Sequence, residues 1–305
     1  MNNITTNVKS LELETIKNLR NSKSSNTLRA YQSDFNDFTL FCSKNGFQSL
    51  PTLPKILALY LTDLSSRSKY STLKRRLASI SIIHKMKGHY IDTKHPIIME
   101  NLMGIKRIKG SNQKGKKPLL INDLKKLIKV IHETKEKDLK KIRDKALVLI
   151  GFSGGFRRSE LVNIENNDIE FVSEGVKIFV KRSKTDQSGE GMIKAIPYFD
   201  NHQFCPVIAL KNWIDILDKK QNKIFNISDK SVALIIKKYA KIAGLDSDKY
   251  AGHSLRSGFA TSTAESGAEE RNIMAMTGHK STEMVRRYIK EANLFKNNAL
   301  NKIKI

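Results

Sequence analysis

The segment "AGHSLRSGFATSTAESG", Ala251 to Gly267, places a histidine and an arginine three residues apart directly after a glycine, in a small and apolar setting. Residues at i and i+3 are neighbours on one helix face. A helix through this segment therefore turns His253 and Arg256 the same way, roughly a turn apart. An imidazole beside a guanidinium is a poor structural pair, because one can carry positive charge near neutral pH and the other always does. An anion held between them makes sense of the arrangement.

Composition narrows what that anion is. The chain has 305 residues, room for two domains of ordinary size, and 39% of them are hydrophobic, which suits a packed protein. Lys and Arg number 55 against 30 Asp and Glu, a net charge of +25. A basic surface of that size points to a polyanion, most often nucleic acid. A bias toward Lys, Asn and Ile codons gives the same charge without a partner, and charge alone does not choose DNA over RNA. The longest fully apolar stretch, around Ala146 to Ile150, is too short to cross a membrane, and Met1 to Ser10 lacks an apolar signal core, so neither a membrane partner nor export is expected and a cytoplasmic place is. Cys42 and Cys205 lie far apart in apolar-patterned segments and read as reduced core residues.

Periodicity outlines the rest. Leu28, Tyr31, Phe35, Phe38 and Cys42 recur at helical spacing over 24–46, with Gly46 closing the segment. Thr52 and Pro54 open a second helix, Ser71 caps a third carrying Leu73, Leu77, Ile80 and His84, and a fourth covers Ile97 to Ile105. Lys74, Arg75 and Arg76 lie largely off the apolar stripe and read as contacts to a phosphate backbone or major groove. "KRIKGSNQKGKKPL", Lys106 to Leu119, is rich in Gly, Ser and Lys and reads as a linker, in which Lys114, Lys116 and Lys117 either follow a phosphate backbone or are simply solvated. A second domain opens with helices capped near Asn122 or Asp123 and spanning Leu139 to Phe152. The period then drops to two, with strands at Ile169–Phe171, Val176–Val180 and Met192–Tyr198, before helices resume at Pro206–Leu217, Asp229–Ala243, Ser254–Ser266, Glu269–Met276 and Ser281–Tyr288.

Four local patterns carry chemistry: "GFRRSEL" from Gly155, with Arg157 in the first turn of a helix and Glu160 placed to orient it; Lys184, in the loop between strands; His253-x-x-Arg256; and Gly278-His279-Lys280-Ser281 followed by Arg286-Arg287-Tyr288. The stretches "GFSGGFRRSEL", "RSKTDQSGEG", "GHSLRSGFAT" and "MTGHKSTEMVRRYI" each match a motif of the tyrosine recombinases, the phage-integrase-type site-specific DNA recombinases, in family order and at family-like separations. The chain resembles that family over about residues 24–295, and looks closer to the simple Cre-like enzymes than to the Xer type.

The resemblance implies a role for each matched position. Tyr288 is the nucleophile, Arg157 and Arg256 grip the non-bridging oxygens of the scissile phosphate, and Lys184 protonates the departing 5′ oxygen. His253 assists proton transfer at the tyrosine, His279 hydrogen-bonds or places the phosphate, and Glu160 supports from behind. Lys181 and Lys194 lie close enough in sequence to compete with Lys184, and the match to "SKTDQ" favours Lys184. Gly154 stands where many relatives carry Thr, which reads as added backbone freedom.

Elementary chemistry runs alongside. Forked guanidiniums neutralise a phosphodiester better than ammonium groups do. A phenol, with a free pKa of about 10, needs a base or a positive field to react at neutral pH. The sequence holds no Asp/Glu set for Mg²⁺, no P-loop and no Cys/His zinc spacing, and metal- and ATP-independent transfer through a covalent phosphotyrosine suits that. The expected fold is mainly α: a helical DNA-binding bundle over 11–108, a basic linker over 109–118, and a mixed α+β catalytic domain over 119–290 with a small three-stranded antiparallel sheet. A tail over 291–305 follows, with Leu294, Phe295, Ala299, Leu300 and Ile303 near helical spacing. By resemblance the partners are double-stranded DNA, a homo-tetramer on two sites with the tail docked on a neighbour, and DNA-bending accessory proteins; a separate arm-binding domain is not expected and no cofactor is implied. A non-catalytic DNA-binding regulator on the same scaffold and a type IB-like topoisomerase stay open as alternatives.

Overall fold

The computed structural model describes residues 2–110, 115–182, 186, 189–218, 220–292 and 299–303. The chain divides into two compact units, Met1–Lys114 and Gly115–Ile305.

The first unit is helical: α1 Asn2–Asn21, α2 Ser25–Lys44, α3 Pro54–Arg67, α4 Tyr70–Met86 and α5 Pro96–Lys109. Ser24 caps α2, its hydroxyl accepting from the Thr27 amide, and proline opens α3 and α5 where a missing N–H is harmless. Phe38, Cys42, Leu57, Leu61, Leu73, Ile80 and Leu102 form the core. α1 has no counterpart in the periodicity, because Val8, Leu11, Leu13 and Ile16 are all exposed and supply no buried stripe. α4 begins at Tyr70, so Ser71 lies inside it instead of capping it, and α5 runs to Lys109, taking in the first residues of the basic segment.

The second unit holds α6 Ile121–Glu133, α7 Asp138–Ser153, the single turn α8 Arg158–Leu161, β1 Ile169–Val172, β2 Gly175–Val180, β3 Met192–Pro197, α9 Pro206–Asp215, α10 Asp229–Ile242, α11 His253–Glu265, α12 Glu270–Thr277 and α13 Thr282–Ala292. The strands form one antiparallel sheet in the order β1-β2-β3, with Ile178 opposite Ile169 on one side and Lys194 on the other. Val176, Ile178, Val180, Lys194 and Ile196 point inward. α7 is buried from Ala146 to Ser153 and packs on α9 and α11.

α11 is enclosed on nearly every side, which explains its weak amphipathic signal. Its small residues permit this: a Cβ on Gly258 would lie 2.1 Å from the Leu119 carbonyl oxygen. Ser254 accepts the Leu119 amide at its carbonyl, 2.9 Å away. Cys42 and Cys205 are buried free thiols, and no described helix is long and apolar enough to cross a membrane.

Candidate active site

α11 starts at His253, so Arg256 follows one turn later on the same face, inside the protein. Arg256 is 1% exposed. Its Nη1 donates to the Gly155 carbonyl at 2.8 Å, while Nη2 is buried with no hydrogen-bond partner among the described residues. Burial first, and the Arg157 guanidinium second, push its pKa down to about 10.

The turn that receives Arg256 is built from glycine. Gly155 has φ +55°, a left-handed conformation that L side chains resist. Gly154 differs from its sequence reading. Its backbone is ordinary (φ −88°, ψ −1°), and glycine is needed because a Cβ would come within 2.1 Å of the Phe156 ring. Arg157 then caps α8 rather than sitting in its first turn. Buried Glu160 takes both ends of it: Arg157 Nη1 donates to Oε1 at 2.6 Å and the Arg157 amide to Oε2 at 2.9 Å. Arg157 Nη2 reaches the Gly278 carbonyl at 3.5 Å.

Gly278 ends α12 in the left-handed conformation (φ 64°), which turns the chain so that His279 points back. The Thr277 hydroxyl lies 2.7 Å from His279 Nδ1 and 2.6 Å from the Ile273 carbonyl. Burial and the guanidiniums of Arg256 and Arg157 push the His279 pKa down to about 4. Tyr288, on α13, is nearly buried against Ala260, Ala264, Ile273 and Val285. Its hydroxyl lies 3.3 Å from His253 Nε2, and its ring centroid 6.2 Å from that of His279. His253 keeps an open ring edge, yet its crowded setting and the charges of Arg256, Arg157 and Arg158 hold its pKa below the usual imidazole value. A neutral His253 can accept the phenolic proton.

Lys184 and Lys114 lie outside the described residues. Lys181 is held by Glu165 and by Asp168, 2.9 Å away. Lys194 is fully buried, donating to the Gly154 carbonyl at 2.7 Å and to the Met276 carbonyl. In the sequence Lys194 stands out only as a neighbour of Lys184, yet it is a lysine on the inward face of "MIKAIP", where alternation asks for an apolar residue. Lys116 and Lys117 are exposed; the Lys117 amide donates to the Lys249 carbonyl at 2.7 Å and its Nζ lies 3.3 Å from Asp123. In the first unit Lys74 is exposed, Arg75 pairs with buried Asp34, and Arg76 bonds Asp37 and the Tyr60 hydroxyl, the latter at 2.6 Å. Arg76 is thus largely committed within its own unit.

The second unit therefore gathers two guanidiniums, two neutral imidazoles and a phenol into one cluster, with no group of His, Cys, Asp and Glu able to hold a metal among the described residues. That set suits an anionic ester attacked by a tyrosine. Residues 118–294 match the phage integrase family. The chain is 42% identical to an integrase/recombinase xerD homolog of Selenomonas ruminantium, across 96% of this chain and 89% of that protein. It is 26% identical to the tyrosine recombinase XerC of Corynebacterium glutamicum, across 89% of this chain and 83% of that protein. These relatives carry Xer names rather than Cre-like ones. In fold it is similar to the XerH site-specific recombinase in a post-cleavage complex with palindromic difH substrate (TM-score 0.62, 17% identity, 81% of this chain and 73% of that one). It is also similar to a lambda integrase dimer bound to a COC′ core site (TM-score 0.59, 16% identity, 100% of this chain and 84% of that one). The chain belongs to the phage integrase family and is a tyrosine recombinase, an enzyme of site-specific DNA cleavage and rejoining.

Proposed function

We propose that Tyr288 attacks the scissile phosphate of duplex DNA, with Arg157 and Arg256 on its non-bridging oxygens. The tyrosine oxygen bonds to phosphorus, its proton passes to His253, and the bond to the 5′ oxygen breaks. Lys184 gives that oxygen a proton, leaving a 3′-phosphotyrosyl linkage and a free 5′ hydroxyl. Attack by another 5′ hydroxyl reverses the step. The linkage conserves the ester, so rejoining needs no ATP. Positioned proton transfer contributes roughly 10²–10⁴-fold, and fixed positive charge the larger share.

The observation that carries this reading is Arg256 Nη2, a buried guanidinium donor with no partner among the described residues, beside a phenol hydrogen-bonded to a neutral histidine. A buried donor left unsatisfied is costly, and an incoming phosphate oxygen satisfies it. The Thr277 hydroxyl gives its one hydrogen to the Ile273 carbonyl and accepts from His279 Nδ1–H, which fixes the neutral ring with Nε2 unprotonated, so His279 helps to place the phosphate. Lys181 is ion-paired and Lys194 is turned onto two carbonyls, which supports Lys184 as the proton donor.

The working form is a homo-tetramer on two DNA sites in the cytoplasm, accessory DNA-bending proteins being a further expectation. An apolar cavity of about 740 Å³ in the second unit, lined by Leu124, Phe152, Ile196, Phe199, Phe204 and Phe259, is a fitting receiver for the apolar tail of a neighbouring protomer. Incubation with a nicked suicide duplex followed by denaturing electrophoresis tests the reading. A covalent adduct that Tyr288→Phe abolishes is expected, and no adduct on a bound site returns the protein to a DNA-binding regulator. Relaxation of arbitrary supercoiled plasmid without site preference favours the topoisomerase instead.

A further inference from the structure

Lys194 breaks the pattern of its strand. β3 alternates, and the inward positions beside Lys194 are filled by Ile178, across the ladder, and Ile196, two residues on. An apolar side chain suits this place, and burying an ammonium is expensive unless it is paired. No carboxylate among the described residues forms an ion pair with it. Glu160 accepts from Arg157 at both oxygens and acts on Lys194 through its charge. Two backbone carbonyls and the face of Phe156, 4.7 Å from Nζ to the ring centroid, receive it instead. A residue that violates its local pattern in this way marks a functional demand.

The carbonyls show what the demand is. Gly154 belongs to the turn that leads into Arg157, and Met276 to the end of α12 that leads through Gly278 into His279. Arg256 holds the first turn at the Gly155 carbonyl, and Arg157 holds the second at the Gly278 carbonyl. Lys194 touches both. We propose that Lys194 is a positioning residue of the cleavage reaction, its buried ammonium tying the turn that carries Arg157 to the turn that carries His279. It does not meet the phosphate itself, since its Nζ is enclosed and bonded to backbone. The inference rests on Arg157 and His279 facing one phosphate.

The tie responds to charge. The groups that act on Lys194 are Glu160 from α8, Arg256 from α11 and Arg157 ahead of α8, with His279 feeling Lys194 in turn. Burial outweighs them and brings its pKa down to about 7.

The test uses the full chain and a suicide duplex built on a site that the wild-type protein selects from a random DNA pool. Lys194→Met is expected to bind that duplex within threefold of wild type and to form the tyrosyl adduct about 10- to 100-fold more slowly at saturating DNA, the scale of loss from ångström-sized misplacement. Lys194→Arg, which keeps a cation and its donors, is expected to recover most of the rate. An adduct rate for Lys194→Met within threefold of wild type, per folded molecule, overturns the proposal even if the variant is less stable. Should Lys194→Met fail to fold, the wild-type DNA complex supplies the readout. Its adduct rate should fall over the pH range in which the ¹³Cε signal of Lys194 reports loss of the proton, and a rate flat or rising through that range overturns the proposal. A wild-type protein that binds its site and makes no adduct removes the parent reading, an outcome distinct from both.

Discussion

Replacing Lys194 by Met should tilt the protein's stability against pH in a calculable way. The ordinary lysine value is 10.5, and burial brings Lys194 to about 7. Between pH 7 and 9 the unfolded chain keeps the proton on this side chain, while the native protein goes from about half protonated to almost bare. Stability changes with pH in proportion to the protons bound unfolded minus those bound native, which is positive here, so Lys194 makes the wild type more stable as pH rises. Integrated at about 1.4 kcal/mol per pH unit, its contribution is about 2 kcal/mol from pH 7 to 9. Below pH 7 both states are charged and the contribution levels off at its least favourable. Lys194→Met lacks the term entirely. It also strands the Gly154 and Met276 carbonyls, a loss of about 1–3 kcal/mol each that does not depend on pH. Urea unfolding of both proteins at pH 6, 7, 8 and 9 should therefore show wild type gaining on Lys194→Met by about 2 kcal/mol between pH 7 and 9. Parallel curves would mean that the amine keeps an ordinary pKa and that burial does not displace its proton.

Three further outcomes follow from the site. Glu160→Gln keeps the shape but removes the charge that holds Arg157 at two points; it should lower stability by about 1–3 kcal/mol and slow adduct formation about tenfold at saturating DNA, read by denaturant unfolding and single-turnover kinetics. Gly155→Ala forces a Cβ onto φ +55° and to 3.0 Å from the Phe259 ring, so unfolding should occur with about 1–2 kcal/mol less stability at the least. Thr277→Val removes the hydroxyl at His279 Nδ1, and the adduct rate should fall several-fold with DNA affinity little changed, as measured by filter binding beside kinetics.

Much of this was legible because the family motifs are local. His253 and Arg256 share a helix face by spacing alone, and Tyr288 lies nine residues beyond His279 on the next helix. Alternation placed the three strands, and their antiparallel order is the one hairpin neighbours adopt. What escaped were pairings made by folding. Arg75 and Arg76 look like free cations off an apolar stripe, yet their carboxylates, Asp34 and Asp37, stand 41 and 39 residues earlier. Gly154 reads as flexibility, whereas the neighbouring Phe156 ring is the reason for it. α1 escaped because periodicity detects a buried face and the described side chains of α1, from Val8 to Asn18, are exposed. Lys194 was visible as a broken alternation, but its partners are main-chain carbonyls, which carry no sequence identity.

Which atom of the protein joins the DNA is the most direct test of Tyr288 as nucleophile. Trypsin digestion of the trapped complex, followed by mass spectrometry, should find a nucleotide 3′-phosphate on the peptide that begins at Tyr288, after cleavage at Arg287. Recovery of that nucleotide on a different residue, with Tyr288 unmodified, would contradict that role.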